Sequence, residues 1–215
     1  MSAYSKRVIG VFLATVLIAL ITYGSIINTS DYVTIGNQKW MRKNLEVSTF
    51  RNGDSIPQAS TNEEWEAFGK QKKPAWCYYK FDLANGKLFG KLYNSYVVSD
   101  SRGIAPEGWH VPSYEESMTL INNVGGEETA GISLMSEDYL HSSLKEKNNS
   151  GFNALPGGYR GTNFDQIGMQ MLCWTSTTTK LRNDQFYVFI IDRKGGAYLL
   201  FTTPTAGVSI RCIKD

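Results

Sequence analysis

The stretch Gly151-Phe-Asn-Ala-Leu-Pro-Gly-Gly-Tyr-Arg-Gly161 is the most informative part of this chain for its fold. Glycines are interleaved in it with aromatic side chains of the kind that proteins bury. Each glycine supplies a backbone angle or a close approach that other residues rarely allow. The pattern therefore predicts a loop-dominated scaffold held by specific turns, and it favours a protein that displays binding residues over an enzyme.

The sequence before this stretch predicts one hairpin and two helices. Residues 32–35 and 38–41 alternate about a Gly-Asn pair, which is typical of a hairpin. Capping-box patterns at residues 60–64 and 113–116 each mark the start of an amphipathic helix. Asn85 and the glycine after it are interpreted as a further turn.

The sequence after this stretch predicts strands. Residues 186–191, 197–201 and 208–213 show the alternation expected of an antiparallel meander. Residues 148–179 are rich in Gly, Thr and Asn and are predicted to form a long irregular loop region, a feature that usually carries function. The chain is therefore predicted to be α+β, with two helices packed on an antiparallel sheet.

The N-terminal segment has the length and composition of a membrane span. Residues 8–27 are uncharged throughout and follow two positive charges, so they are predicted to be a transmembrane helix with residues 1–7 in the cytoplasm. A cleaved signal peptide is the alternative, because residues 22–24 offer small side chains near a cleavage position. With the anchor retained, residues 31–215 would face the periplasm or the cell exterior. If the segment is cleaved, they would be secreted.

Charge and cysteine content narrow the function classes. The formal net charge is +2 and no basic face is predicted, so nucleic acid is not expected as a partner. The three cysteines are Cys77, Cys173 and Cys212, which allow one disulfide and one free thiol, or no disulfide at all. No Cys-x-x-Cys pair occurs, and no metal or other cofactor is expected.

The residues that most often carry catalysis are scarce. His110 and His141 are the only histidines; His110 is interpreted as a hydrogen-bonded structural residue and His141 as a surface residue. No serine lies in a Gly-x-Ser-x-Gly pattern. Candidate calcium ligands are scattered over separate turns. The sequence therefore predicts that the protein is not an enzyme.

Seven ordered segments between residue 33 and the last residue resemble the Fibrobacter succinogenes major paralogous domain, an exported bacterial family. Matches this numerous and in this order are more specific than any one of them. The segments are Val33-Thr-Ile-Gly-Asn-Gln-Lys-Trp-Met41 with Asn44-Leu45, Asn52-Gly-Asp54, Leu92-Tyr-Asn94, Pro106-Glu-Gly-Trp-His-Val-Pro-Ser113, Gly151-Phe-Asn-Ala-Leu-Pro-Gly-Gly-Tyr-Arg160, Trp174-Thr-Ser-Thr177 and Ser209-Ile-Arg-Cys-Ile-Lys-Asp215.

The resemblance implies a C-type-lectin-like fold, which is also similar to the formylglycine-generating enzyme group. This chain departs from the family at Ala105, where the family commonly has Cys, and at Ser117, where it commonly has Trp. If the family cysteine pairs with the one at position 212, Cys212 lacks that partner here. A bridge from Cys212 to Cys77 or Cys173, or a free thiol, is then expected.

Recognition is expected on the polar segments 162–169 and 177–183, which lie between the family motifs. Arg160 and Arg211 are instead expected to bind loop carbonyls through their planar guanidinium groups. The predicted ligand-binding residues are Tyr159, Asn163, Phe164, Asp165, Gln166, Lys180, Arg182 and Tyr198.

The predicted function is that of a noncatalytic, membrane-tethered binding or surface-interaction module. Its expected partner is a protein or glycan at the cell surface. Two alternatives remain at this point: an enzyme related to the formylglycine-generating group, and a structural subunit of a cell-surface assembly.

Overall fold

The computed structural model describes residues 31–140, 143–144, 150–179 and 185–215. The chain divides into one unit of residues Met1–Asp31 and a compact unit of residues Tyr32–Asp215. The predicted membrane segment, residues 8–27, lies outside the described residues. Within the described residues, no helix is long and apolar enough to cross a membrane.

The compact unit contains both α-helices and β-strands, which confirms the α+β class. The helices are α1 (Asn62–Lys70), α2 (Leu83–Phe89), α3 (Ser95–Val98), α4 (Tyr114–Asn123) and α5 (Ala130–Leu134). The strands are β1 (Tyr32–Ile35), β2 (Gln38–Met41), β3 (Trp76–Cys77), β4 (Leu92–Tyr93), β5 (Trp109–His110), β6 (Gly157–Arg160), β7 (Phe164–Ile167), β8 (Gln170–Thr178), β9 (Phe186–Asp192), β10 (Ala197–Thr202) and β11 (Ile213–Lys214).

The first and last strands of the unit share one sheet, in the order β1-β2-β11-β5. The predicted hairpin of β1 and β2 is confirmed, with Val33 opposite Trp40. Ile213 of β11 pairs with Trp40 on one side and with His110 of β5 on the other. This terminal sheet therefore joins the two ends of the unit by backbone hydrogen bonds.

The second sheet has five strands in the order β10-β9-β8-β6-β7. The β9–β10 hairpin is confirmed. The predicted meander is wrong in its third strand: β10 lies at the edge of this sheet, and the strand on the other side of β9 is β8, not residues 208–213. Residues 208–213 instead run between the sheets, with single bridges from Val208 to Tyr93 and from Ser209 to Cys173, and their last residue joins the terminal sheet.

The predicted irregular region, residues 148–179, is largely β-structure, because its described part contains β6, β7 and β8. The glycine pattern is what allows these strands to approach. Gly158 has a φ of +66°, and a Cβ added to it would lie 2.3 Å from the carbonyl oxygen of Asp165. Only glycine fits there without moving the backbone of β7.

Both predicted helix starts are confirmed. Thr61 Oγ1 accepts the backbone N–H of Glu64 at 3.2 Å before α1, and Ser113 with Glu116 forms a full capping box before α4. The structure adds three shorter helices, α2, α3 and α5, to the two that the sequence predicts. Asn85 lies inside α2 and not in a turn, since the preceding Asp82 side chain caps this helix.

Two apolar clusters of buried side chains are formed by the described residues. The larger one collects side chains from the terminal sheet, α4, α5 and strands β8 to β10. The smaller one lies beside α1 and is built on Trp65, Cys77 and Tyr79, with Phe81 and Phe164 packed against it. The smaller cluster is the one that positions the site described next.

Candidate functional site

Arg160 is the last residue of β6 and lies opposite Phe164 of β7. Its side chain is 2% exposed. Aromatic rings surround the guanidinium group: its carbon lies 5.6 Å from the ring centroids of both Trp65 and Phe81 and 5.0 Å from that of Phe164. These distances are those of cation–π contacts, so the cation is held by ring faces.

Two nitrogens of the Arg160 guanidinium group lack hydrogen-bond acceptors in the described part of the chain. Its Nε and Nη1 are buried and have no partner among the described residues. The backbone of Arg160 bonds both ways to Gly207, at 2.8 and 2.7 Å, but Nε and Nη1 do not reach a carbonyl of any described loop, contrary to the expectation. Burial lowers the pKa of Arg160, while Cys77 and Glu66 act in the opposite direction.

Arg211, in contrast, binds a loop carbonyl through its guanidinium group, as the sequence predicts. Its Nη1 donates to the carbonyl oxygen of Phe152 at 2.7 Å, and its Nε donates to Oδ1 of Asn44 at 3.1 Å. Its side chain is also almost fully buried. The two arginines therefore share burial and aromatic packing, and they differ in whether the guanidinium group has hydrogen-bond acceptors.

Arg160 lines a surface cleft of about 650 Å³, which we call the Arg160 cleft. This volume lies in the range of small-molecule binding sites. The walls are α1, the turn between β6 and β7, and the segment after β10. The lining residues are Trp65, Glu66, Gly69, Lys70, Arg160, Gly161, Thr162, Thr203 and Thr205.

Close contacts hold the walls of the Arg160 cleft together. Trp65 Nε1 donates to the carbonyl oxygen of Thr205 at 3.0 Å, which ties α1 to the segment after β10. Gly69 leaves room for Thr205, since a Cβ on this glycine would lie 2.9 Å from Cγ2 of that threonine. Gly207 likewise leaves room for Trp65 and Arg160. A Cβ on this glycine would lie 3.1 Å from a ring carbon of Trp65 and 3.1 Å from Cβ of Arg160.

Three ionisable side chains line the cleft, namely Arg160, Lys70 and Glu66. Lys70 Nζ and Glu66 Oε2 are 3.9 Å apart on the exposed face of α1. Such an exposed pair contributes little and leaves both groups free to move. The cleft thus carries an excess of one positive charge, and the buried cation is at Arg160.

A second hollow, of about 140 Å³, lies beside Arg42, Lys43 and Lys87. It is smaller than typical ligand sites. Arg42 is already engaged there, because its Nε and Nη1 donate to the carbonyl oxygens of Tyr32 and Gly151 at 3.2 and 3.1 Å. We therefore take the Arg160 cleft as the candidate site.

The structure brings only part of the predicted recognition set to this cleft. Thr162 lines it, and Phe164 packs on Arg160. Tyr159 pairs with Asp165, which is exposed and accepts the backbone N–H of Gln166 at 2.7 Å.

The other four predicted residues are Asn163, Tyr198, Lys180 and Arg182. The carbonyl oxygen of Asn163 accepts the N–H of Gly161 at 2.9 Å, within the β6–β7 turn. Tyr198 is on β10, at the opposite edge of the sheet from β7, about 19 Å away at the usual strand spacing. Lys180 and Arg182 lie outside the described residues.

Sequence reasoning missed Trp65, Lys70, Thr203 and Thr205 as site residues. They belong to segments far apart in the chain, and no local motif links them. For Arg160 the sequence predicts a structural role, because small and aromatic residues flank it. A buried arginine without acceptors is visible only when its neighbours in space are known.

The three cysteines are buried, and His110 is hydrogen-bonded to two carboxylates. Cys77, Cys173 and Cys212 are all free and buried, so no disulfide forms among them. Burial raises the pKa of each thiol to about 12. His110 lies between two carboxylates, with Nδ1 2.6 Å from Asp215 and Nε2 2.8 Å from Glu116.

His141 lies outside the described residues. Within the described part of the chain, no group of three or more His, Cys, Asp or Glu side chains is arranged to hold a metal ion.

These features define a mixed α+β domain whose first and last strands share one sheet and whose buried arginine lines a cleft. The chain belongs to the Fibrobacter succinogenes major domain family, whose model matches residues 33–214. The family match supports a bacterial origin. No curated protein and no solved structure matches the chain.

Proposed function

We propose that this chain is a noncatalytic binding module on the outer side of the cytoplasmic membrane, tethered through residues 8–27. Its ligand is a protein or glycan at the cell surface. The Arg160 cleft is the observation that carries the proposal, because it combines ligand-sized volume with a buried cation. Recognition takes place at this cleft and at the β6–β7 turn beside it.

Burying a charge without hydrogen bonds costs free energy. Nε and Nη1 of Arg160 carry such a cost, because they have no acceptor among the described residues. Sites that bind ligands commonly retain side chains that lower the stability of the free protein. A ligand that supplies acceptors would recover this cost, which is why the arginine favours binding over a purely structural role.

We also propose that the fold is C-type-lectin-like. Two observations support this. The terminal sheet joins β1 and β2 to β11, and the two longest helices, α1 and α4, follow the order expected of such domains. In this type of fold, loops on a closed scaffold form the binding surface, which agrees with the position of the cleft.

The state of the thiols supports the noncatalytic part of the proposal. A cysteine that acts as a nucleophile or binds a metal does so as a thiolate. Burial raises the pKa of the Cys173 and Cys212 thiols to about 12, so both stay protonated near neutral pH. His110 is tied to Asp215 and Glu116 and serves to join β5 to the chain end and to the start of α4.

The test is binding of the purified full chain to glycan and peptide arrays. A Thr162→Trp variant places a large side chain in the mouth of the cleft at an exposed position. Thr34→Trp is the matched control, because Thr34 is exposed on β1, away from the cleft. We expect the wild type and Thr34→Trp to bind and Thr162→Trp to lose binding.

An absence of binding by the wild type would contradict the recognition role and favour a structural subunit. Binding that Thr162→Trp leaves unchanged would place recognition elsewhere. The tether has its own test: the full chain should stay in the membrane fraction after high-salt washing, and protease added to spheroplasts should digest the domain. A shortened, soluble product would instead show cleavage.

A further inference from the structure

We infer that the Arg160 cleft binds a carboxylate group carried by a small hydroxylated acid, about the size of one sugar acid. This inference rests on the proposed binding function and adds the chemical class of the ligand. It follows from three properties of the cleft: an unsatisfied guanidinium group, a small excess of positive charge, and hydroxyl groups along one wall.

The first property is the guanidinium group of Arg160. Its aromatic surroundings fix its position but offer no hydrogen-bond acceptor to Nε or Nη1 within the described part of the chain. A planar guanidinium group donates two parallel hydrogen bonds to a carboxylate, and such charge-assisted bonds are about twice as strong as neutral ones. Nε and Nη1 have almost no solvent-accessible surface in the free protein, so the guanidinium group turns towards the cleft when the carboxylate binds.

The second property is the charge balance. Lys70 and Glu66 carry opposite charges, so the three ionisable side chains of the cleft sum to one positive charge. A carboxylate brings a single negative charge and neutralises it. A phosphate monoester carries about −1.5 to −2 at neutral pH, so it would exceed the single excess positive charge of the cleft. The charge balance therefore favours a carboxylate over a phosphate.

The third property is the wall of threonines. Thr203 and Thr205 are exposed, their hydroxyl oxygens lie 3.4 Å apart, and Thr162 is exposed on the facing turn. A hydroxyl group both donates and accepts, so this wall matches the hydroxyl groups of a ligand. The cleft of about 650 Å³ leaves room for a ring beyond the carboxylate itself. A hydroxylated ring with one carboxylate fits all three properties.

The experiment is a calorimetric titration of the full chain at constant ionic strength. The probes are sodium glucuronate, glucose, sodium acetate and sodium phosphate. We expect glucuronate to bind at least tenfold more tightly than glucose, acetate or phosphate. An oligomer of glucuronate separates two sources: tighter binding than the monomer indicates an acidic glycan, and equal binding indicates a free sugar acid.

Arg160→Met is the main variant, because methionine keeps the apolar stem among the rings and removes the charge. We expect it to lower glucuronate affinity at least tenfold. Arg193→Met is the matched control, since Arg193 is an exposed arginine in the turn between β9 and β10 and does not line the cleft. Its affinity should equal that of the wild type.

If Arg160→Met does not fold, two measurements keep the inference testable. Arg160→Lys retains the positive charge but loses the planar guanidinium group that donates two parallel hydrogen bonds. It should therefore still lower the affinity for glucuronate. In the wild type, glucuronate and not glucose should shift the Arg160 Nε–H resonance. Equal binding of glucose and glucuronate, or tighter binding of phosphate, would overturn the carboxylate assignment.

The failure of this inference differs from the failure of the proposed function. A neutral ligand on the array that is lost in Thr162→Trp and kept in Arg160→Met would overturn the carboxylate inference and support the binding function. Glucuronate binding without any hit on the array would support the inference and contradict surface recognition.

Discussion

Phe164 lies directly opposite Arg160 in the ladder of β6 and β7, and its ring centroid is 5.0 Å from the guanidinium carbon. Arg211 has a similar arrangement with Phe152, at 4.4 Å. Both arginines are thus buried against an aromatic ring. Arg211 also has two hydrogen-bond acceptors, whereas Nε and Nη1 of Arg160 have none among the described residues.

This difference predicts opposite effects of the same substitution. Arg160→Met removes a buried charge without acceptors and should raise the free energy of unfolding by about 1 kcal/mol. Arg211→Met leaves the acceptors on Phe152 and Asn44 without a donor and should lower it by about 3 kcal/mol. Chemical denaturation of both variants beside the wild type measures the two values. Equal destabilisation would mean that Arg160 is as structural as Arg211.

Gly158 and Gly168 allow the cost of a positive φ to be measured apart from the cost of a steric clash at Cβ. Gly158 and Gly168 have φ of +66° and +74°, but only at Gly158 would a Cβ meet other atoms, at 2.3 Å from the carbonyl oxygen of Asp165. Gly168→Ala should cost about 1 kcal/mol from the angle alone. Gly158→Ala should cost several-fold more, because the β6–β7 pairing must shift. Thermal unfolding compares them, and similar costs would contradict the contact argument.

The contact of His110 with Asp215 and Glu116 predicts a pH dependence of stability. Burial lowers the pKa of His110, but the hydrogen bonds and charges of the two carboxylates outweigh it, so the net pKa lies above the usual 6.5. The stabilisation is therefore complete below the unfolded value near 6.5 and is lost as the pH rises through the raised folded value.

Glu116 titrates in the opposite sense. Burial raises its pKa, but hydrogen bonds from Ser113 and His110 outweigh it and hold the pKa below 4.5. Its contribution is present above the unfolded value and is lost as the pH falls through the folded value.

The network should therefore be strongest between about pH 4.5 and 6.5, and because its groups are partly exposed its worth is at most about 1 kcal/mol. His110→Gln should remove the loss of stability between pH 6 and 9. Unfolding free energies across this range test the prediction, and an unchanged slope in the variant would contradict it.

Burial of the three thiols predicts that they are unreactive in the folded protein. Burial raises the pKa of Cys77, Cys173 and Cys212 to about 12, and each side chain is inaccessible to a reagent. At pH 8 Ellman's reagent should therefore label none rapidly, and all three after denaturation. A single thiol that reacts quickly in the native protein would reopen a catalytic role for it.

Local structure was predictable where a few neighbouring residues decide it. The capping box at Ser113 and Glu116 and the β1–β2 hairpin depend on contacts within four to ten residues, so the sequence reveals them. The turn predicted at Asn85 is wrong because an Asn-Gly pair favours a turn, whereas here the pair lies inside a helix that the Asp82 side chain caps. The strands of residues 157–178 were missed because glycines allow them to pair closely, whereas by composition alone glycine indicates a loop.

The candidate site was predictable in part. The turn after Arg160 was expected to take part in recognition, and Thr162 does line the cleft. The other walls come from α1 and from residues 203–205, which are separated from Arg160 by long stretches of chain. Tyr198 is predicted to bind ligand because an aromatic ring can stack on a sugar. The strand order of the sheet puts it on β10, at the opposite edge from β7.

The sequence by itself determined the α+β class, the family, the two principal helix starts and the positions that only glycine can occupy. Those features follow from local backbone chemistry or from an ordered series of motifs. Only the tertiary structure decided which of two buried arginines is satisfied. The reason is physical: a hydrogen bond to a buried guanidinium group depends on acceptors that approach within about 3 Å from distant parts of the chain. Arg211 has such acceptors in Phe152 and Asn44, and Arg160 faces a cleft.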